Sequence, residues 1–166
     1  MVRGNHDDPA YFELQADGNT LIHHARWQTV PDYAVIKACG RMVLCIGGAV
    51  SVDRQIRMRE MERHLGKRYY WPNETVRYDA EALEAIRDAG LKVDTVVTHT
   101  APSMCEFQSK QGLATWAQCD ATLLDDCNAE RAAMDDIIVH LKHDKHPLER
   151  WYYGHFHNSW HSEIDG

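Results

Sequence analysis

The stretch from Asp79 to His99 does most to limit what this chain can fold into. Ala82, Leu83, Ile86 and Ala89 fall on one face of a helix, Asp79 is placed to cap its first turn, and Gly90 to end its last. Leu91-Lys92-Val93-Asp94-Thr95-Val96-Val97-Thr98 then reads as a short apolar strand, with His99 at its carboxyl end. A helix that passes straight into a buried strand is the working unit of an α/β domain, and such domains collect their ligands at the carboxyl ends of the strands.

The remaining segments fit the same architecture. From Tyr33 to Gly48 two strands are expected, joined by a turn at Gly40 and feeding the glycine-rich Gly47-Gly48. A second helix is expected from about Ala121 to His143, with Leu124, Ala132, Ile137, Ile138 and Leu141 among its buried positions and Pro147 beyond its end. Leu148 to Tyr153 reads as another strand, after which Gly154 turns the backbone so that His155 and His157 project from one loop. No repeat or low-complexity linker interrupts the 166 residues, so 1–166 is read as a single domain.

Composition removes several classes of function. The net charge is −7 and the basic residues are scattered, which supplies no positive patch for nucleic acid. No apolar run approaches the roughly 20 residues of a membrane-spanning helix, and no basic segment followed by an apolar one opens the chain, so no membrane partner and a cytoplasmic location are expected. The five cysteines are odd in number and form no Cys-x-x-Cys pair, which argues for reduced structural thiols. Eleven histidines stand out against this background, because imidazole is the commonest transition-metal ligand. His140, His143 and His146 read as a solvated helix end, and His23, His24 and His161 as surface residues.

Three short motifs occur in a fixed order: Gly4-Asn5-His6-Asp7, Thr98-His99, and Gly154-His155-Phe156-His157. Each alone is weak, but the ordered set resembles the last three signature motifs of the calcineurin-like metallophosphoesterases. Gly47-Gly48-Ala49-Val50-Ser51-Val52-Asp53 with Arg57, and Tyr70-Trp71-Pro72, resemble segments of a bacterial and phage subgroup of that family, so the likeness runs over most of the chain. It implies a four-layer α/β/β/α sandwich holding two divalent metal ions, with Mn²⁺ the first expectation and Fe²⁺ or Zn²⁺ as alternatives. By the same resemblance, Asn5, His99 and His155 would bind one metal and His157 would reach the other. His6 would stabilise the transition state or protonate the leaving oxygen, and Asp7 would orient its ring. The implied substrate is a phosphomonoester or phosphodiester. Arg57, Tyr70 and Trp71 are candidates to line its cleft.

One part of the family pattern is missing. The family also carries an early Asp-x-His and a later Gly-Asp-x-x-Asp, which supply most ligands of the first metal and the carboxylate shared by both. This sequence contains no Gly-Asp pair, and its sole Asp-x-His, Asp144-Lys145-His146, follows a polar helix and precedes a proline. The expectation is therefore a partial sandwich, apparently truncated, whose dinuclear site is incomplete in these residues. A non-catalytic binding or regulatory module that retains the fold is the alternative. Oligomeric state stays open.

Overall fold

The computed structural model describes residues 1–22, 24–105, 112–159 and 161–163. It is a mixed α/β structure with one four-stranded sheet and four α-helices among the described residues. The strands are β1 (Ala34–Ala38), β2 (Arg41–Ile46), β3 (Thr95–Thr98) and β4 (Arg150–Tyr152), adjacent in that order. The helices are α1 (Arg54–Arg63), α2 (Ala80–Asp88), α3 (Leu113–Ala117) and α4 (Leu123–His143).

β1 and β2 form the expected antiparallel hairpin. Its two-residue turn is Cys39-Gly40, both with positive φ (51° and 79°), the geometry that matches the twist of the flanking strands. β2, β3 and β4 run parallel to one another. Stepping across the sheet in one direction with crossovers of one hand carries both intervening helices to the same face. That face holds the main core, in which Leu44, Ile46 and Val96 of the sheet pack with Leu83 and Ile86 of α2 and with Met134, Ile137 and Leu141 of α4. The other face carries a smaller cluster of Val30, Val43 and Cys45, with Val2, Ala34 and Val97 against it.

α2 forms as its residues dictate. Asp79 accepts a hydrogen bond from the Ala82 amide at 2.9 Å. At the other end Gly90 N donates to Arg87 O and Leu91 N to Ile86 O, the paired bonds that close a helix on a left-handed residue. α4 spans nearly the expected range, but its buried stripe is shifted. Leu124 is 46% exposed and Ala132 is also exposed, whereas Leu123, Glu130 and Met134 are buried with Ile137, Ile138 and Leu141. Where α4 meets the sheet sets that register, and two adjacent leucines cannot reveal it.

The end of α4 also departs from expectation. His143 is solvated, but His146 is buried and its Nδ1 accepts from Val93 N at 3.1 Å. His140 is likewise mostly covered, held between Tyr78 and Asp144. His24 and His161 are exposed as expected, and His23 lies outside the described residues. No helix among the described residues is long and apolar enough to cross a membrane.

Candidate metal centre

The glycine-rich loop after β2 places the first motif. Gly48 N donates to Arg3 O at 2.8 Å, and a Cβ on Gly47 would stand 2.5 Å from the Arg3 Cβ. At Gly48, whose φ is +96°, a Cβ would meet Glu74 O at 2.5 Å. Backbone therefore crosses backbone on both sides of this loop, which no larger residue would permit. The buried Arg3 guanidinium fixes the crossing, pairing with Asp32 at 2.8 Å and donating to Glu74 O at 2.8 Å. The chain then enters Gly4-Asn5-His6-Asp7 against the carboxyl end of β3.

Asn5 is 5% exposed, and its amide is oriented by a relay. Its Nδ2 donates to Ser51 Oγ at 2.9 Å. Ser51 in turn donates from Oγ and from its backbone amide to the two oxygens of Glu74, at 2.8 and 2.7 Å. With Nδ2 occupied, Oδ1 faces His99 Nε2 at 3.0 Å. Gly4 makes room for the histidine, since a Cβ there would lie 3.1 Å from the ring's Cε1. Glu74 is fully buried, and desolvation pushes its carboxyl up to about 7, opposed by the bonds from Ser51.

The third motif reaches the same place through a short return. Gly154 N donates to His99 O at 3.1 Å, and the His155 ring meets the His99 ring edge to face, with centroids 5.1 Å apart. His155 and His157 both adopt left-handed backbone, with φ of 70° and 53°. For a non-glycine residue that conformation costs about 1–2 kcal/mol. Two such residues, one apart and beside a cleft, are the pattern of a loop held for its side chains rather than for its backbone.

Burial sets the charge state of the His99 and His155 rings. Burial lowers the His99 pKa, and burial together with His99 and His157 pushes His155 down to about 4. Both rings are thus neutral at pH 7, the form that ligates metals. With Asn5 Oδ1 able only to accept, the 3.0 Å contact is a hydrogen bond from His99 Nε2, whose proton a metal ion bound at that nitrogen would replace. The set is neutral and partial. Among the described residues no group of three or more His, Cys, Asp or Glu side chains is arranged to hold a metal ion. The donors present fit one part of a metal centre and lack a carboxylate.

The other candidates stand around this core. His6 is exposed, and its Nε2 faces the Arg57 guanidinium. Desolvation, then Arg57, lowers its pKa. Where the resemblance expects Asp7 to orient His6, Asp7 Oδ2 accepts from the Gly4 amide at 2.7 Å and so closes the turn itself. His157 is exposed at the edge of the cleft. Arg57 is buried beneath the turn, bonded to Asn5 O at 3.2 Å and paired with Asp53 at 2.9 Å. It supports the motif from below instead of lining the cleft, and the half-buried Tyr70 and Trp71 are not in the cleft wall either.

The Ser51–Glu74 relay is the part that sequence reasoning overlooked. Its members lie 46 and 23 residues apart along the chain, and no local periodicity marks them. The burial of a glutamate beside Pro72 and Asn73 is visible only once the chain has folded. Comparison of this chain with protein families, with curated proteins and with solved structures returns no match.

Proposed function

We propose that this chain carries part of the active site of a metal-dependent phosphoester hydrolase. The observation that carries the reading is the convergence of Asn5, His99 and His155, from motifs far apart in sequence, into one partly buried group of neutral donors. Asn5 Oδ1, His99 and His155 would hold one divalent ion, Mn²⁺ by first expectation, and His157 would contribute to a second. Divalent ions in such a site polarise the phosphoryl oxygens and lower the pKa of the attacking water.

The chain's own residues account for the remaining chemistry. Ser51 and Glu74 hold the Asn5 amide in one orientation, so that its oxygen and not its nitrogen faces the site. Arg57 holds His6 at the cleft, where its imidazole would stabilise charge building on the leaving oxygen. With His155 and His157 both in left-handed backbone, the two imidazoles line the same cleft. The full architecture would be the four-layer sandwich, with its second sheet against the Val30, Val43 and Cys45 face. All five cysteines are free, which suits a cytoplasmic setting, and the acidic net charge points to a small phosphoester over a nucleic acid.

The test is hydrolysis of bis-p-nitrophenyl phosphate with Mn²⁺. The reading expects turnover only when the Asp-x-His and Gly-Asp-x-x-Asp carboxylates are supplied, in the same polypeptide or from another, and expects His99→Ala to abolish it. Turnover that His99→Ala leaves intact would contradict it. A second reading, a non-catalytic module that keeps the fold, draws on the lack of a carboxylate-containing metal group among the described residues. It expects no turnover under any of these conditions.

A further inference from the structure

A cleft of about 770 Å³ opens beside His155 and His157, and its walls are of two kinds. One wall is the site itself, with Asn5, His6, His155 and His157. The rest of the lining includes the apolar and aromatic Val50, Val52, Leu113, Trp116 and Phe156. Phe156 is fixed in place, with its ring 5.0 Å from that of His155 and the Arg131 guanidinium 5.3 Å from its centroid. Trp116 is half-buried on the short α3, which packs against α4.

The size and charge of the cleft both bear on what it can hold. Sites that enclose small organic molecules run from about 300 to 1,000 Å³, so a phosphate by itself would leave most of this space unfilled. Three charged side chains other than the histidines line it, Asp53, Glu130 and Arg131. Arg131 spends donors on the backbone oxygens of Ala101 and Pro102, at 3.1 Å each. Glu130 is buried and accepts from Val50 N and from Thr100 Oγ1, and burial raises its pKa. Such a wall offers little to a chain of phosphates and much to a flat apolar group.

We infer that the cleft selects phosphoesters carrying a single phosphate joined to a planar aromatic group, with the aromatic group seated against the side of the cleft that Trp116 and Phe156 line. The inference rests on the proposed hydrolase reading and assigns that site its substrate class. Stacking and apolar burial then supply affinity that the partial, neutral metal set does not. Specificity resides in Trp116 and Phe156, and neither residue belongs to the three motifs' candidate ligands.

Two non-hydrolysable probes test this by calorimetry in the presence of Mn²⁺, 2-naphthylphosphonate and methylphosphonate. The naphthyl probe is expected to bind roughly tenfold or more tightly than the methyl probe, and Trp116→Leu and Phe156→Leu are each expected to narrow the gap. Circular dichroism of both variants establishes that they are folded. Equal affinities, no binding of the naphthyl probe, or a gap unchanged in both folded variants would overturn the assignment. His99→Ala reads the hydrolase proposal separately. If the naphthyl preference survives while His99→Ala affects neither probe, the aromatic pocket stands and the metal reading falls.

Discussion

Two groups of histidines sit at opposite ends of the parallel strands, and their partners make them different chemical objects. At the carboxyl ends, His99 and His155 are desolvated beside an amide and beside each other, and burial holds both rings neutral. At the end of α4, where the chain returns to start β4, His140 and His143 surround Asp144, whose side chain is 3% exposed. His140 Nε2 lies 3.3 Å from one carboxylate oxygen and His143 Nδ1 3.1 Å from the other, with Arg87 at 3.8 Å. The first pair is partly buried beside an amide oxygen and a second imidazole, which favours the free base, whereas the second pair has a carboxylate as its neighbour. The spacing His-x-x-His-x-x-His at 140–146 is the more conspicuous in sequence, yet its members turn to different partners, His140 and His143 to Asp144 and His146 to the Val93 amide.

Metal affinity separates the two groups most sharply. His99→Ala is expected to weaken Mn²⁺ binding by about 100-fold or more, since even loss of an outer hydrogen-bond partner costs 10- to 100-fold, while His140→Ala should leave it unchanged. Calorimetric titration of each variant measures this, and equal losses would erase the distinction. Second in size is the tether behind Asn5. The folded-state pKa of Glu74 is raised from 4.5 to about 7, so between those values the unfolded chain binds fewer protons than the native one. The contribution of Glu74 to stability is complete below pH 4.5 and is lost as pH rises through 7, by at most about 3 kcal/mol. Urea unfolding against pH should show a flatter profile for Glu74→Gln, and an identical profile would exclude Glu74 as its source.

Smaller effects belong to the other cluster. Asp144→Asn removes the charge that organises His140, His143 and Arg87 and should cost about 1–2 kcal/mol in urea unfolding, with no change in Mn²⁺ affinity. An unchanged midpoint would mean that the carboxylate is not what gathers the group. His143→Ala should shift stability by less than about 0.5 kcal/mol, because that ring is 82% exposed. A larger loss would show that the solvated member carries more of the cluster than its exposure implies.

The legible parts of the sequence were those whose cause is local. Asp79, Ile86, Gly90 and Leu91 define α2 within a dozen residues, and the apolar run that follows leaves His99 at the carboxyl end of a strand. The hairpin was legible because Gly40 separates two apolar runs. α1 was not, since its sole buried residue is Arg57, whose burial depends on Asp53, Asn5 and His6. The α4 stripe fell one residue away at its start, because Leu123 and Leu124 are equal candidates until the helix docks. At the site, the folded chain brings together Asn5, His99 and His155, one residue from each motif. The motifs could not name Ser51 and Glu74, which reach Asn5 only across the folded sheet end.

The most direct test of the central claim is a Mn²⁺ titration followed through the imidazole resonances in a long-range ¹H–¹⁵N correlation spectrum. Mn²⁺ broadens what it approaches. The account predicts that the His99 and His155 rings broaden at the lowest metal concentration, while His140, His143 and His146 stay sharp. Broadening that begins at the 140–146 cluster, or that spares His99 and His155 throughout, would contradict it.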